Sequence, residues 1–225
     1  GFGRGLEVAI AAPGSTPFAA RLAMHVLLAL PPDTGSGMCA ALGRWLATNQ
    51  HEDGDWQCSP DAYEGELAPW FAEWTFPSLN PACCLAGLAN QLGLMTPRML
   101  ARVADLFDRL GSPDEARDGA FYNVLPYVEY VAGVAFPQRD AYVAALAEGI
   151  ASRAYEDAGH VFEHAINGGP DLVARLSADR LAAEANRLMG EVQDDGGWPT
   201  PYNSAWRSWT TTTALVTLAR LRDGV

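Results

Sequence analysis

Residues 41–56 read Ala41-Leu-Gly-Arg-Trp-Leu-Ala-Thr-Asn-Gln-His-Glu-Asp-Gly-Asp-Trp56. An amphipathic helix ends in Gln50, and a short acidic turn leads to Gly54 and Trp56. The Gln amide can bond the open carbonyls of a helix end. The Gly can adopt the left-handed conformation that closes the helix, and the Trp can cover the turn and donate its N–H. The stretch therefore predicts a helix closed by an aromatic turn.

The same ending returns near the other end of the chain, where residues 189–198 read Met-Gly-Glu-Val-Gln-Asp-Asp-Gly-Gly-Trp. We interpret the two endings as copies of one unit. They read Gln50-x-x-x-Gly54-x-Trp56 and Gln193-x-x-Gly196-x-Trp198.

These paired endings resemble the QW repeat motif of terpenoid cyclases and protein prenyltransferases. The segment Trp206-x-x-Trp209-Thr-Thr-Thr-Thr-Ala-Leu is also similar to the inner helix that follows the motif in that superfamily. The resemblance implies an all-α fold, an α/α barrel or toroid, whose apolar centre binds isoprenoid chains. The two motifs cover about a fifth of the chain.

Helices of two kinds alternate along the sequence. We expect amphipathic helices over 37–49, 97–110, 139–153 and 178–192, and apolar helices over 15–30, 76–92, 121–134, 160–167 and 204–221. Two concentric layers explain this alternation, because inner helices touch neighbours on most sides and outer helices on one. The sequence thus predicts a single α/α-barrel domain over 1–225, with about four to five helix pairs at a repeat of roughly 40 to 50 residues. An open α-solenoid is the alternative fold.

The catalytic motifs of the superfamily are absent from the sequence. Neither Asp53-Gly54-Asp55 nor Asp194-Asp195 matches the DxDD motif, and the chain has no DDxxD motif. The zinc-binding Asp-x-Cys pair of prenyltransferases is also missing, since Asp55-x-x-Cys58 is one residue too long. The resemblance therefore predicts the fold more firmly than any mechanism.

Composition limits the partners. A formal net charge of −12 at pH 7 argues against nucleic acid and against anionic membranes. No run of about 18 apolar residues is present, so we expect no transmembrane helix and no stable membrane insertion. We see no signal peptide, and the four cysteines form no CxxC pair. These features favour a cytoplasmic protein with buried thiols.

The segment His160-Val-Phe-Glu-His164 is the most compact cluster of titratable groups. His160 and His164 share a helix face and could bind a metal. The pattern also matches inverted zincins, but Gly168 and Gly169 cut this helix short. Without a metal, Glu163 and His164 could instead transfer protons near neutral pH. The remaining interpretation of this segment is a structural or surface role. We expect no bound metal and no cofactor.

An apolar helix carries a second group of polar side chains: Tyr122, Asn123, Tyr127, Glu129 and Tyr130. Packing in the core is one interpretation. The functional interpretation is a cavity wall, in which aromatic faces stabilise cationic intermediates and a buried Glu or Tyr acts as an acid; an apolar wall would raise the pKa of the Glu129 carboxyl group. We predict Glu129, Glu163 and His164 as proton carriers.

The remaining candidates would bind substrate. Trp74, Phe76 and Asn80 lie at the start of the most apolar helix, and Trp206 and Trp209 are more easily explained as cavity wall than as catalysts. Together with Tyr122, Tyr127 and His160, they form the predicted substrate-binding set. His25 is expected to be a hydrogen-bonded core histidine.

Three functions follow from these observations. The first is a small terpene-cyclase-like enzyme that binds an apolar isoprenoid or polyene in the barrel centre and catalyses a cyclisation or isomerisation. The second is a non-catalytic barrel that binds a hydrophobic ligand or another protein. The third is an α/α-barrel carbohydrate-active enzyme with paired carboxylates. The polarity of the central cavity discriminates among them.

Overall fold

The computed structural model describes residues 1–223 except 4, 5, 8, 32, 33, 65, 66, 201 and 203, and only the backbone of 70, 72 and 223. The described residues form helices, with an isolated bridge between Ile10 and Leu67 and no strand. The predicted all-α class is confirmed.

Every predicted helix is present, with ends that shift by a few residues. The helices are α1 (Pro17–Ala29), α2 (Ser36–Asn49), α3 (Pro69–Ala72), α4 (Leu79–Gln91), α5 (Pro97–Leu110), α6 (Pro113–Asp118), α7 (Phe121–Gly133), α8 (Arg139–Ser152), α9 (Ala158–Asn167), α10 (Pro170–Val173), α11 (Ala178–Gly190) and α12 (Arg207–Asp223). Short 3₁₀ turns occur at Pro60–Tyr63 and Ser204–Trp206. The short helices α3, α6 and α10 were not predicted.

Hydroxyl caps followed by proline start two of the longer helices. The side chain of Thr16 accepts a hydrogen bond from the Ala19 amide, and that of Thr96 accepts one from Met99. Each cap satisfies a free amide of the first turn, and the following proline fits the first helical position. The start of α4 differs from the prediction at residue 76. Asn80 has φ −102° and ψ 111°, outside the helical range. The ring of the following Pro81 disfavours helical angles at the residue before it.

The longer helices contact one another in a regular order. One row of neighbours runs α1, α4, α7, α9 and α12, and α5, α8 and α11 contact α4, α7 and α9 respectively. The division into inner and outer layers, and closure of the row into a ring with α12 beside α1, stay predictions.

The closest helix pair is α4 with α7. A Cβ atom on Gly87 would lie 1.9 Å from the Glu129 carbonyl oxygen, and one on Gly133 would lie 1.9 Å from that of Gly87. The two backbones therefore approach each other at glycines, and the Asn90 amide donates to the Gly133 carbonyl at 2.7 Å. This contact fixes the position of α7 along the axis of α4, and with it the position of Glu129.

Two helices are buried differently from the prediction. The helix α8 was expected to be an outer amphipathic helix, but α6 and α10 cover its outer side, and seven of its residues are buried. The helix α12 was expected to be an apolar inner helix, but among its described residues Ala214 and Thr217 are the buried ones. Five residues of α12 line the cavity described below.

The two aromatic turns share the hydrogen bond of the tryptophan indole. The indole N–H of Trp56 donates to the carbonyl of Leu46 at 2.9 Å, and that of Trp198 donates to Leu188 at 2.7 Å. Each bond spans ten residues and closes the end of an outer helix. The repeat of the unit is therefore present in three dimensions.

The glutamines of the two turns are not equivalent, which corrects the proposed alignment. With Trp56 on Trp198, His51 occupies the place of Gln193, and the backbone N–H of each donates to a turn carbonyl, of Asp55 or of Gly197, at 2.9 Å. The side-chain amide of Gln50 donates to the carbonyls of Gly54 and Met99, not to the open carbonyls of its own helix end.

The turn glycines do adopt the predicted left-handed conformation, with φ of 98° at Gly54 and 81° at Gly196. Gly54 also lies against the backbone of α5, since an added Cβ atom would be 2.3 Å from the Arg102 carbonyl oxygen. Within the part of the chain that the structure describes, no helix is long and apolar enough to cross a membrane.

Candidate functional site

A cavity of about 750 Å³ lies where the inner helices meet. Its size is within the range of small-molecule sites. Residues of α1, α3, α4, α7, α9, α11 and α12 line it, together with residues of the first segment and of the second aromatic turn. Helices that are far apart in sequence therefore contribute to one site.

Seven of the predicted site residues line this cavity: Trp74, Asn80, Tyr122, His160, Glu163, Trp206 and Trp209. Four do not: Phe76, Tyr127, Glu129 and His164. Phe76 packs in a small apolar cluster near α3, and Tyr127 is fully buried in the main core.

One wall of the cavity is aromatic. The ring of Phe18 lies 4.6 Å from that of Phe71 and 5.0 Å from that of Trp74, in edge-to-face contacts. Trp206 packs near Tyr202 on another side, with ring centroids 6.0 Å apart. Such faces favour apolar ligands and can stabilise a nearby positive charge.

A buried ion pair anchors α1 to α7 behind the cavity. The guanidinium of Arg21 contacts both carboxylate oxygens of Glu129 at 2.5 to 3.0 Å, and the ring of His25 lies 2.8 Å from the same carboxylate. Burial alone would raise the pKa of Glu129, but the charges of Arg21 and His25 lower it below its ordinary value. Glu129 is therefore an ionised carboxylate, contrary to the raised pKa that the sequence suggested.

Arg21 also reaches the cavity, which it lines. Its Nη2 atom lies 3.6 Å from Oε1 of Glu163, which is partly exposed on α9. One guanidinium thus faces two carboxylates, one buried behind it and one at the cavity.

Glu7 is a titratable residue that sequence reasoning missed. It lines the cavity and is 8% exposed, and its Oε1 accepts a hydrogen bond from the Ala9 amide at 3.0 Å. Burial raises the pKa of Glu7 to about 7, against the opposing effects of that hydrogen bond and of Arg21. A carboxyl group with this pKa is protonated in part at neutral pH and can donate its proton. It lies in the irregular first segment, where no periodic pattern marks it.

A chain of polar groups runs along a second side of the cavity. Asp157 caps α9 and holds Nδ1 of His160 at 2.7 Å, and Nε2 of His160 lies 3.4 Å from the hydroxyl of Tyr202. That hydroxyl is 2.6 Å from the hydroxyl of Tyr122. Although burial opposes its charge, Asp157 raises the pKa of His160. The sequence pointed to His160 and Tyr122 but not to Asp157 or Tyr202.

His164 is held as a neutral structural group. Its Nε2 lies 3.2 Å from the Phe121 carbonyl, which can only accept, and its Nδ1 lies 2.8 Å from the hydroxyl of Tyr155. Burial lowers the pKa of His164 to about 3. Its ring stacks on Phe121 at 4.4 Å, away from the cavity lining.

Asn80 is positioned by a proline in α7. Pro126 has no amide hydrogen, so the carbonyl of Tyr122 lacks its usual partner within the helix. The side chain of Asn80 donates to that carbonyl at 3.2 Å and joins α4 to α7 at the cavity edge. Among the described residues, no group of three or more His, Cys, Asp or Glu side chains could hold a metal ion.

No family model, no curated protein and no solved structure matches this chain. The resemblance to the terpenoid cyclase and prenyltransferase superfamily therefore stays a prediction.

Proposed function

We propose that the chain is a small terpene-cyclase-like enzyme. It binds an apolar isoprenoid or polyene in the cavity and catalyses a cyclisation or isomerisation by proton transfer. The observation that carries the proposal is the carboxyl group of Glu7, whose pKa of about 7 places a proton donor in a cavity walled by aromatic rings.

In this mechanism Glu7 is the general acid and Glu163 is the general base. The proton of Glu7 adds to one alkene carbon, and the electron pair of the double bond forms the new C–H bond. The aromatic rings, including Trp74 and Trp209, face the resulting carbocation. The cation then loses a proton from a neighbouring carbon, with or without ring closure, to the carboxylate of Glu163. Glu163 then releases its proton to water while Glu7 takes one up from water, so no proton is consumed overall and the substrate is isomerised with no net redox change.

The proposed fold is the α/α toroid, with α12 completing the ring beside α1. Its support is that Arg21 of α1 and Thr213 of α12 line the same cavity. A ring of this kind surrounds the substrate and keeps water away from the cation, which extends its lifetime.

Turnover in D₂O tests the proposal. We would incubate the protein with alcohol, hydrocarbon and diphosphate forms of isoprenoids and analyse products by mass spectrometry. The mechanism predicts one deuterium on a product carbon, because the proton of Glu7 exchanges with solvent. Glu7→Gln should lower the rate by about 10²- to 10⁴-fold, the usual range for a lost acid. The exposed Glu148→Gln on α8 is the matched control and should keep the rate. Binding without conversion would leave the non-catalytic barrel as the function.

One observation favours the carbohydrate-active alternative, namely that several carboxylates line the cavity beside tryptophans. Paired carboxylates and aromatic platforms also serve glycoside hydrolysis. Cleavage of aryl glycosides by the wild-type chain, lost in Glu7→Gln and in Glu163→Gln, would select this function over the first.

A further inference from the structure

The charges around the cavity are strongly unbalanced. The described lining residues include one fixed cation, Arg21. They also include five carboxyl groups: Glu7, Glu156, Asp157, Glu163 and Glu191. Glu7 is protonated in part at neutral pH, so the excess of negative charge comes mainly from the other four carboxyl groups. Because an apolar cavity screens charge poorly, these groups act on any ligand inside it.

The single guanidinium is already engaged. Arg21 has 11% of its side chain exposed and is bound on both oxygens of the buried Glu129, with Glu163 at 3.6 Å. A phosphate group would have to compete with a buried carboxylate for the same N–H groups. Such competition would leave Glu129 as an unpaired buried charge, which is costly.

The nearest helix end is occupied as well. The N-terminus of α9 borders the cavity through Gly159 and His160, and a free helix N-terminus is a favourable phosphate site. Here the carboxylate of Asp157 fills that place, since it accepts from the His160 amide at 2.8 Å. A diphosphate would therefore meet a fixed negative charge where it would otherwise be bound.

We infer that the substrate carries no diphosphate, and that the cavity takes a free isoprenoid or polyene alcohol. The inference rests on the proposed function and names its substrate class. The hydroxyl groups of Tyr122 and Tyr202, 2.6 Å apart, with Nε2 of His160 beside them, form a hydrogen-bonding site for the substrate hydroxyl. The carboxylate of Asp157 pairs with the ring of His160, so this ring adds no net positive charge that would attract a diphosphate. The reaction that supplies this substrate must then be one that replaces the diphosphate by a hydroxyl group, such as hydrolysis.

Equilibrium binding of matched pairs tests the inference. The probes are geraniol, farnesol and geranylgeraniol, each against its own diphosphate, followed by quenching of tryptophan fluorescence with EDTA and again with Mg²⁺. We expect the best-fitting alcohol to bind at least about tenfold more tightly than its diphosphate in both buffers. Asp157→Asn and Glu163→Gln should each reduce the difference in affinity between alcohol and diphosphate, because each removes a negative charge at the cavity. Glu148→Gln removes a negative charge from the exposed face of α8 and should leave that difference in affinity unchanged.

The outcomes separate the two proposals. A diphosphate that binds as tightly as its alcohol, with or without Mg²⁺, overturns the inference but leaves an isoprenoid-binding cavity. Failure of every alcohol and every diphosphate to bind overturns the proposed function and the inference with it. Weaker binding of the diphosphates that is insensitive to Asp157→Asn and Glu163→Gln would also overturn the charge argument.

Discussion

At the scale of single residues, Glu7 and Glu129 show how partners decide the behaviour of a buried carboxyl group. Glu129 has two strong partners, the guanidinium of Arg21 and the ring of His25, and its pKa is lowered. Glu7 has one backbone amide and only the more distant charge of Arg21, so burial prevails and its pKa is raised. The usable proton is therefore on Glu7, while Glu129 holds Arg21 in place.

The pKa of Glu7 predicts a pH-dependent stability that needs no substrate. The folded chain keeps the proton up to about pH 7, whereas the unfolded chain releases it near the ordinary value of 4.5. Stability from this group is therefore fully present below about pH 4.5 and is lost as the pH rises through 7. At about 1.4 kcal/mol per pH unit, the loss is on the order of 3 kcal/mol.

Urea denaturation of the wild type and of Glu7→Gln at pH 5 and pH 8 measures this loss. Gln cannot titrate, so the variant should lose less free energy of unfolding between the two pH values. Asp55, whose pKa burial also raises to about 7, contributes equally to both proteins and cancels in the comparison. Equal losses in the two proteins would show that Glu7 has an ordinary pKa.

The sequence could not reveal these partnerships. Glu129 was correctly placed on an apolar helix, which suggested a raised pKa. Its partner Arg21 lies 108 residues earlier, on α1, and no local pattern connects the two. Glu7 lies in a segment without periodicity, so neither its burial nor its place at the cavity could be read from its neighbours.

At the scale of elements, the long helices were predictable and the short ones were not. Caps such as Thr16 and Thr96, and apolar spacing over three or more turns, marked the long helices. The helices α3, α6 and α10 have four to six residues and each begins with a proline. A single turn has no period to detect, and missing α6 led to the wrong expectation that one face of α8 is exposed.

The aromatic turns predict unequal costs for removing their tryptophans. Trp56 is fully buried in the main core, so Trp56→Ala should cost about 3–5 kcal/mol of unfolding free energy. Trp198 has the same indole hydrogen bond but lines the cavity and belongs to a smaller cluster of buried residues, so Trp198→Ala should cost less. Met189→Ala, at a side chain 59% exposed, is the control and should change stability by no more than about 0.5 kcal/mol.

Urea denaturation and ligand-binding measurements on the two tryptophan variants test this prediction. Trp198→Ala should weaken isoprenoid binding as well as stability, whereas Trp56→Ala should act on stability alone because Trp56 does not line the cavity. Wild-type stability in both variants would contradict the structural role of the repeated turn.

At the scale of the whole molecule, the cavity is formed by helices drawn from nearly the whole length of the chain. Its walls include residues of α1, α3, α4, α7, α9, α11 and α12, and α12 contributes five of them. Periodicity could predict two layers, and seven of the eleven predicted site residues do line the cavity. It could not predict which side of each inner helix faces the cavity, since helices that are apolar nearly all round give no direction.

Slower hydrogen exchange of backbone amides in the presence of a bound ligand tests whether α12 closes the ring of helices beside α1. If α1 and α12 border one enclosed cavity, an isoprenoid alcohol bound there contacts Leu22 on α1 and Thr213 on α12 together. Binding restrains both helices and lowers the frequency of local opening, so amide hydrogen exchange should slow in α1 and in α12 with the same dependence on ligand concentration. The outer helix α5 lines no part of the cavity and serves as the internal control. Exchange measured by mass spectrometry on peptides from α1, α5 and α12 gives the answer. Protection of α1 without α12 would mean that α12 does not close the ring, and the fold would then be an open array of helix pairs.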